Sequence, residues 1–277
     1  MTTPAASPAT SPFRFFDLHV VRATALTPSM IRVVFGGDDV SRMASAGRDQ
    51  RIKLFLPSPG HDAPAVPRDV ADPDRYTAWR SLDPSTRGVM RTYTIRELRT
   101  SPAELTVDFA VHGDEGPASR WALRATVGDR VGVLAPVVED NVAYEFRPPV
   151  DTDWVLLTAD ASALPAVAGI LGHLPPTMPV RAWIEVPTPA DHQPLPAGLD
   201  SAITWLTTPA TTTEAIRAAA LPAGVPYAWV AGESSTVKSV RRHLVRDRGI
   251  PRTRVQFSGY WRNGTSEDHL MQTEEAA

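Results

Sequence analysis

The feature that most constrains this chain is a change of pattern at Arg147-Pro148-Pro149. Before it, from Phe13 onward, short β-branched and aromatic runs alternate with turn signals: Asp17–Ala25, Met30–Gly36, Arg51–Leu56, Met90–Glu97, Glu104–Val111 and Asp129–Ala135. Six strands at that density predict a small antiparallel barrel. After it, continuous apolar runs alternate with helical ones, the pattern of buried parallel strands joined by crossover helices. The expected strands there are Trp154–Thr158, Val180–Val186, Ala202–Leu206, Tyr227–Ala231 and Arg254–Phe257, with helices near Leu164–Leu174, Thr213–Ala220 and Ser235–Asp247. The reading is therefore a two-domain β plus α/β protein: a barrel over residues 13–149 and a parallel-sheet unit over residues 150–265. Residues 1–12 and 266–277 read as flexible tails. Between Pro57 and Gly88 a Pro- and Asp-rich stretch has no period and reads as an excursion over the surface.

Composition narrows the chemistry. The 277 residues include no cysteine, which removes thiolate metal sites, iron–sulfur clusters and Cys nucleophiles, so electron transfer would need an organic carrier. A net charge of -3 gives no global attraction to nucleic acid or anionic lipid. No apolar run is long enough for a membrane span and no signal peptide opens the chain, so a cytoplasmic location is expected. The seven histidines lack metal-ligand spacing, and no P-loop, G-x-G-x-x-G or G-x-S-x-G motif occurs.

Four segments could carry chemistry. In Arg91-Thr92-Tyr93-Thr94, strand alternation puts Arg91 and Tyr93 on one face and Thr94 on the other, setting a cation beside an aromatic plane. A flavin suits such a pair, but an ordinary strand with a surface Arg and a half-buried Tyr gives the same pattern. The run from Val107 to Ala122 is a strand, a glycine-punctuated turn and a helix with Pro117 in its first turn. Free N–H groups at that helix start would face an anion, with Ser119 adding a hydroxyl; a plain corner with Trp121 in the core is the alternative. His112 reads as a cofactor contact or a structural hydrogen-bonder rather than a general base. In the second half, Asp160 follows a buried strand where open α/β sheets bind ligands, and Gly232-Glu233 repeats the arrangement, with Ser234 or Ser235 expected to cap the next helix. Turn and capping chemistry explains both equally well.

Together, Arg91-Thr92-Tyr93-Thr94-Ile95-Arg96, the His112–Ala122 run, Leu164-Pro165-Ala166, Ala231-Gly232-Glu233 and Gly259-Tyr260-Trp261-Arg262-Asn263-Gly264 resemble the siderophore-interacting protein family in order and spacing, over nearly all of residues 13–264. The resemblance implies a ferredoxin-reductase-like architecture: a six-stranded Greek-key FAD-binding barrel, then an NAD(P)H-binding α/β domain. It implies FAD contacts at Arg91, Tyr93, Thr94, His112, Gly116, Ala118 and Ser119, and nicotinamide-side contacts at Asp160, Gly232 and Glu233. The chain departs from the family at Ala159 and Ala161, where glycine and glutamate are frequent, and at Ala135-Pro136-Val137-Val138, where Gly-Pro-Arg-Gly is frequent.

The implied function is reduction of a ferric siderophore, hydroxamate or catecholate, with NADPH, NADH or a ferredoxin as electron donor. Hydride would pass to the flavin and single electrons to Fe(III), releasing Fe(II), and no acid or base residue is required. An anionic ferric chelate calls for basic side chains, and Lys53, Arg130 and Arg262 are the candidates. Lys53 stands out as one of two lysines in the chain, although a solvated strand lysine is equally ordinary. A flavin-containing siderophore-binding protein with little nicotinamide turnover and a general flavin reductase or diaphorase are the rivals.

Overall fold

The structure is a computed structural model that describes residues 11–67, 75–111, 116–207 and 212–264. The first half forms a seven-stranded antiparallel sheet: β1 (Phe13–Thr27), β2 (Met30–Gly36), β3 (Arg51–Leu56), β4 (Val89–Thr94), β5 (Glu97–Thr100), β6 (Ala103–Ala110) and β7 (Arg130–Pro136), in the order β4-β3-β7-β1-β2-β6-β5. β4 and β5 stand at opposite ends of that order, yet only Ile95 and Arg96 separate them in the chain. The sheet must therefore curl until its ends nearly meet. Those two residues make the crossing: Ile95 N donates to Gln50 O, beside β3, and Arg96 N donates to Thr106 O of β6.

This corrects the expected strand count. One strand over Met90–Glu97 is in fact two, because the backbone changes partner at Ile95 while the apolar pattern runs on. The surface stretch also contains a short helix, α1 (Arg75–Arg80), whose Trp79 packs beside Phe55 and Met90. Alternate residues of β1, Phe16, Leu18 and Val20, enter the barrel core with Val33, Phe35, Leu54, Leu105 and Phe109. Helix α2 (Pro117–Arg124) lies against β2, β4 and β6.

The second half is a five-stranded parallel sheet of β8 (Trp154–Asp160), β9 (Val180–Glu185), β10 (Ser201–Leu206), β11 (Pro226–Glu233) and β12 (Val255–Trp261), in the order β10-β9-β8-β11-β12. Helices α3 (Leu164–His173), α4 (Thr212–Ala218) and α5 (Ser234–Arg242) join them, and all five strands and three helices fall where the apolar runs place them. The chain starts at central β8, builds outward to β10, then returns to place β11 on the other side of β8. The reversal leaves a crevice beyond the carboxyl ends of β8 and β11, the usual ligand position in such sheets.

The two sheets are tied by buried polar groups. Asp49, 2% exposed, accepts from the backbone N–H groups of Glu145 and Phe146 and from Trp229 Nε1 on β11. Arg51 donates to Glu145, which also accepts from Gln256 of β12. Asp191, after β9, accepts from Ser29 N at the β1–β2 turn at 2.8 Å. Met30 and Ala110 pack into the apolar cluster of the second sheet rather than that of the first.

Candidate functional site

Two clefts meet at one residue. The first, of about 730 Å³, lies between β3 and β4 of the barrel and the end of β12. The second, about 670 Å³, covers the carboxyl ends of β8, β9 and β11. Trp261 lines both, and its indole Nε1 donates to Asp160 Oδ2 at 2.7 Å, so the crevice of the parallel sheet opens beside the barrel cleft.

The barrel cleft is built by register. β3 and β4 pair Arg51 with Thr94, Ile52 with Tyr93, Lys53 with Thr92 and Leu54 with Arg91. Directly opposed residues project to the same face, so Arg91 and Tyr93 share the face of Ile52 and Leu54, and Lys53 shares that of Thr92. Lys53 Nζ donates to Thr92 Oγ1 at 2.7 Å. Arg91 donates to the Met90 carbonyl. The Tyr93 ring stands 4.3 Å from that of Phe109, which lies 5.8 Å from Trp121, which in turn stacks on Phe35 at 6.1 Å. This chain of rings fixes the start of α2 relative to the cleft.

Tyr260 forms part of the cleft wall. Its hydroxyl is buried beside Thr94 without a hydrogen bond of good geometry, and burial, reinforced by the negative Asp49, pushes its pKa well above the usual phenol range. A neutral hydroxyl is therefore held ready to bond. An aromatic plane, three cations at Arg51, Lys53 and Arg91, the Tyr260 hydroxyl and this volume fit a flavin dinucleotide, whose ring stacks and whose diphosphate is anionic.

At the crevice, Asp160 is a hub. Its Oδ1 accepts from Ser162 N and Oγ, and its Oδ2 from Glu233 N and Trp261 Nε1. Gly232 makes this possible: φ is +134°, and a Cβ there would lie 2.6 Å from Asp160 Oδ2. The cap of α5 is Glu233 itself, whose carboxylate accepts from Ser235 N at 2.6 Å and Thr236 N at 3.0 Å. Neither serine takes that role, because the longer Glu233 side chain folds back over both donors.

Of the expected residues, Lys53, Arg91, Tyr93 and Thr94 come together in the first cleft, and Asp160 and Glu233 in the second with Gly232 behind them. Gly116 is the N-cap of α2 and has no side chain to cap it, and Pro117 fills the first turn. Ala118 points into the barrel core, so only its main chain could serve a ligand, and Ser119 is half-buried. His112 lies outside the described residues. Arg130 is exposed at the start of β7, four residues and about 13 Å along the strand from Leu134 of the cleft, and lines neither cleft. Arg262 is exposed and directly follows Trp261.

Arg51, Tyr260, Trp261 and Glu185 line these clefts without having been singled out as individual site residues. Arg51 had a signal, since it stands two residues from Lys53 on the same strand face. Glu185 had one too, as a carboxylate closing a buried strand at the edge where ligands bind.

Two family profiles match the chain. The siderophore-interacting FAD-binding domain matches residues 19–140 and the siderophore-interacting protein domain residues 152–264. The chain is 28% identical to the ferric vibriobactin reductase ViuB of Vibrio cholerae over 93% of its own length and 95% of that protein. It is 32% identical to the NADPH-dependent ferric-chelate reductase of Escherichia coli, covering 90% of this chain and 93% of the other. A siderophore utilization protein from T. fusca, solved by crystallography, superposes with a TM-score of 0.78 at 34% identity, covering 94% of this chain and 98% of that one. With both profiles matched across the two sheets, and a ferredoxin-reductase-like fold, this chain belongs to the siderophore-interacting protein family.

Proposed function

We propose that the protein is an FAD-containing ferric-siderophore reductase that draws electrons from a nicotinamide nucleotide and releases iron as Fe(II) in the cytoplasm. The observation that carries the reading is Trp261, common to a cationic, aromatic-lined cleft on the barrel and to the switch-point crevice of the parallel sheet. A donor in one cleft and a carrier in the other would stand on either side of a single side chain. The flavin, when bound, supplies the redox chemistry by accepting a hydride and yielding single electrons.

The protein's own part is binding and electrostatics. Tyr93 gives a stacking surface, Arg91 a guanidinium for the diphosphate, Thr94 and Tyr260 hydroxyls at the cleft wall, and the start of α2 at Gly116, whose N-cap has no side chain, main-chain N–H groups for phosphate. Lys53, with Arg262 beyond Trp261, would attract an anionic ferric chelate of hydroxamate or catecholate type. Reduction favours release because hard oxygen chelators hold Fe(II) less tightly than Fe(III). The test is direct: the purified protein should be yellow with a flavin spectrum, and should oxidise NADH or NADPH in step with capture of Fe(II) by a ferrous chelator when a ferric siderophore is present. Material that stays colourless after incubation with FAD would end the proposal. Nucleotide oxidation with quinones but none with ferric siderophores would make it a general diaphorase, and turnover only with a reduced ferredoxin would replace the donor.

A further inference from the structure

The second cleft has a charge pattern that bears on which nucleotide it admits. Of its lining residues three are carboxylates, Asp160, Glu185 and Glu233, and none is lysine or arginine among those described. In the sequence, the stretches that follow β9 and β10, residues 186–200 and 207–214, also hold no lysine or arginine, residues 208–211 lying outside the described ones.

The three carboxylates differ in how far they are satisfied. Asp160 accepts four hydrogen bonds, and Glu233 is spent on the first amides of α5. Glu185 accepts one, from Thr212 Oγ1 to Oε2 at 2.9 Å, leaving Oε1 with no partner among the described residues. Burial raises its pKa, and the nearby charges of Asp160 and Glu233 raise it further. A second group in the same cleft also lacks a partner among the described residues: Thr158, 2% exposed, has a buried Oγ1 with no hydrogen bond to any of them. A fixed carboxylate oxygen and an orphan hydroxyl both await polar atoms from outside the protein.

Position says which part of a dinucleotide would meet Glu185. The reacting end must lie toward the barrel cleft, which is reached at β12 through Trp261. Glu185 ends β9, three strands away in the sheet order and so about 14 Å from β12 at ordinary strand spacing. It therefore faces the adenosine end, and Arg262, the cation next to Trp261, stands at the opposite end. A carboxylate accepts two hydrogen bonds from a ribose diol but repels a phosphate ester at the 2′ position.

We infer that Glu185 selects for a nucleotide with a free adenosine 2′-hydroxyl, so that this protein takes NADH in preference to NADPH. The inference rests on the reading of the second cleft as the nicotinamide-nucleotide site. It sets this chain apart from the Escherichia coli relative named above for NADPH dependence.

The test is calorimetric titration of the flavin-loaded full chain with NAD+ and, separately, NADP+ at low salt, which reads binding without turnover. NAD+ should bind at least tenfold more tightly, and Glu185→Gln should bring the two within about threefold, a tenfold ratio corresponding to about 1.4 kcal/mol. Glu185→Asp should keep the preference. Equal or tighter binding of NADP+ to the unmodified protein would overturn the inference while leaving the reductase reading intact. Binding of neither nucleotide would overturn the inference and the nicotinamide part of the reductase reading together. The comparison on unmodified protein decides the matter even if a variant folds poorly.

Discussion

The Asp49 carboxylate, just before β3 of the barrel, accepts a hydrogen bond from the Trp229 indole of β11 at 3.1 Å, across 180 residues of chain. The same carboxylate accepts from the Glu145 and Phe146 amides of the connecting segment. A buried anion with this many donors holds the linker and both sheets at one point. Asp49→Ala would leave the Trp229 N–H and two amides without acceptors, and the expected loss is about 3–5 kcal/mol in urea unfolding followed by tryptophan emission. Asp49→Asn retains one acceptor and should lose less. A loss below about 1 kcal/mol for the alanine variant would show that this contact does not join the two halves.

A second tie should respond to acid. Asp191 is buried, which by itself raises its pKa, but the nearby Thr27 hydroxyl and the hydrogen bonds from Thr188 and Ser29 together outweigh burial and hold it below the ordinary aspartate range. A carboxylate with a depressed folded pKa stabilises the native state above its unfolded value, near 4, and that contribution disappears as pH falls through the folded value. Because Ser29 is at the β1–β2 turn and Thr188 follows β9, acidification below about pH 4 should weaken the contact between barrel and parallel sheet. Asp191→Asn should be less stable than the parent at pH 7 and should lose less between pH 5 and pH 3. Parallel stability curves for the two proteins over that range would remove Asp191 from this role.

The parallel sheet was legible to within a few residues because its three central strands, β8, β9 and β11, are buried on both faces, so an apolar run and a strand coincide there, while the edge strands β10 and β12 alternate with exposed residues. The barrel was less so. The alternation in Met90–Glu97 continues through a change of hydrogen-bonding partner at Ile95, an event set by Gln50 and Thr106, which are remote in the chain. The residues flagged at the clefts share that limit. Tyr93 and Asp160 carry local signals, a strand face and a strand end. Glu185 carries a strand-end signal as well, but its pairing beside Asp160 emerges only when β9 is set beside β8, and Trp261 acquires its meaning only when the two sheets are brought together.

The ring chain from Tyr93 through Phe109 and Trp121 predicts two separable effects on flavin binding. Tyr93→Ala removes the stacking surface and should lower flavin affinity roughly tenfold, about 1.4 kcal/mol, read as the flavin-to-protein ratio after gel filtration. Tyr93→Phe keeps the ring and should retain most of the flavin. An unchanged ratio in the alanine variant would exclude Tyr93 from the cofactor site.

Lys53 is the sharpest test of the substrate side. Its ammonium donates to Thr92 Oγ1 at 2.7 Å, which fixes its position at the cleft. Combining Lys53→Ala with Arg262→Ala removes two positive charges and should raise the apparent KM for an anionic ferric siderophore roughly tenfold at low ionic strength. The deficit should shrink as salt rises, since screening at 1 M confines charge effects to about 3 Å. The double variant keeps Tyr93, Arg51 and Arg91 at the cleft and should still bind flavin. A KM that does not move at low salt would leave the ferric chelate to be held by contacts other than these two cations.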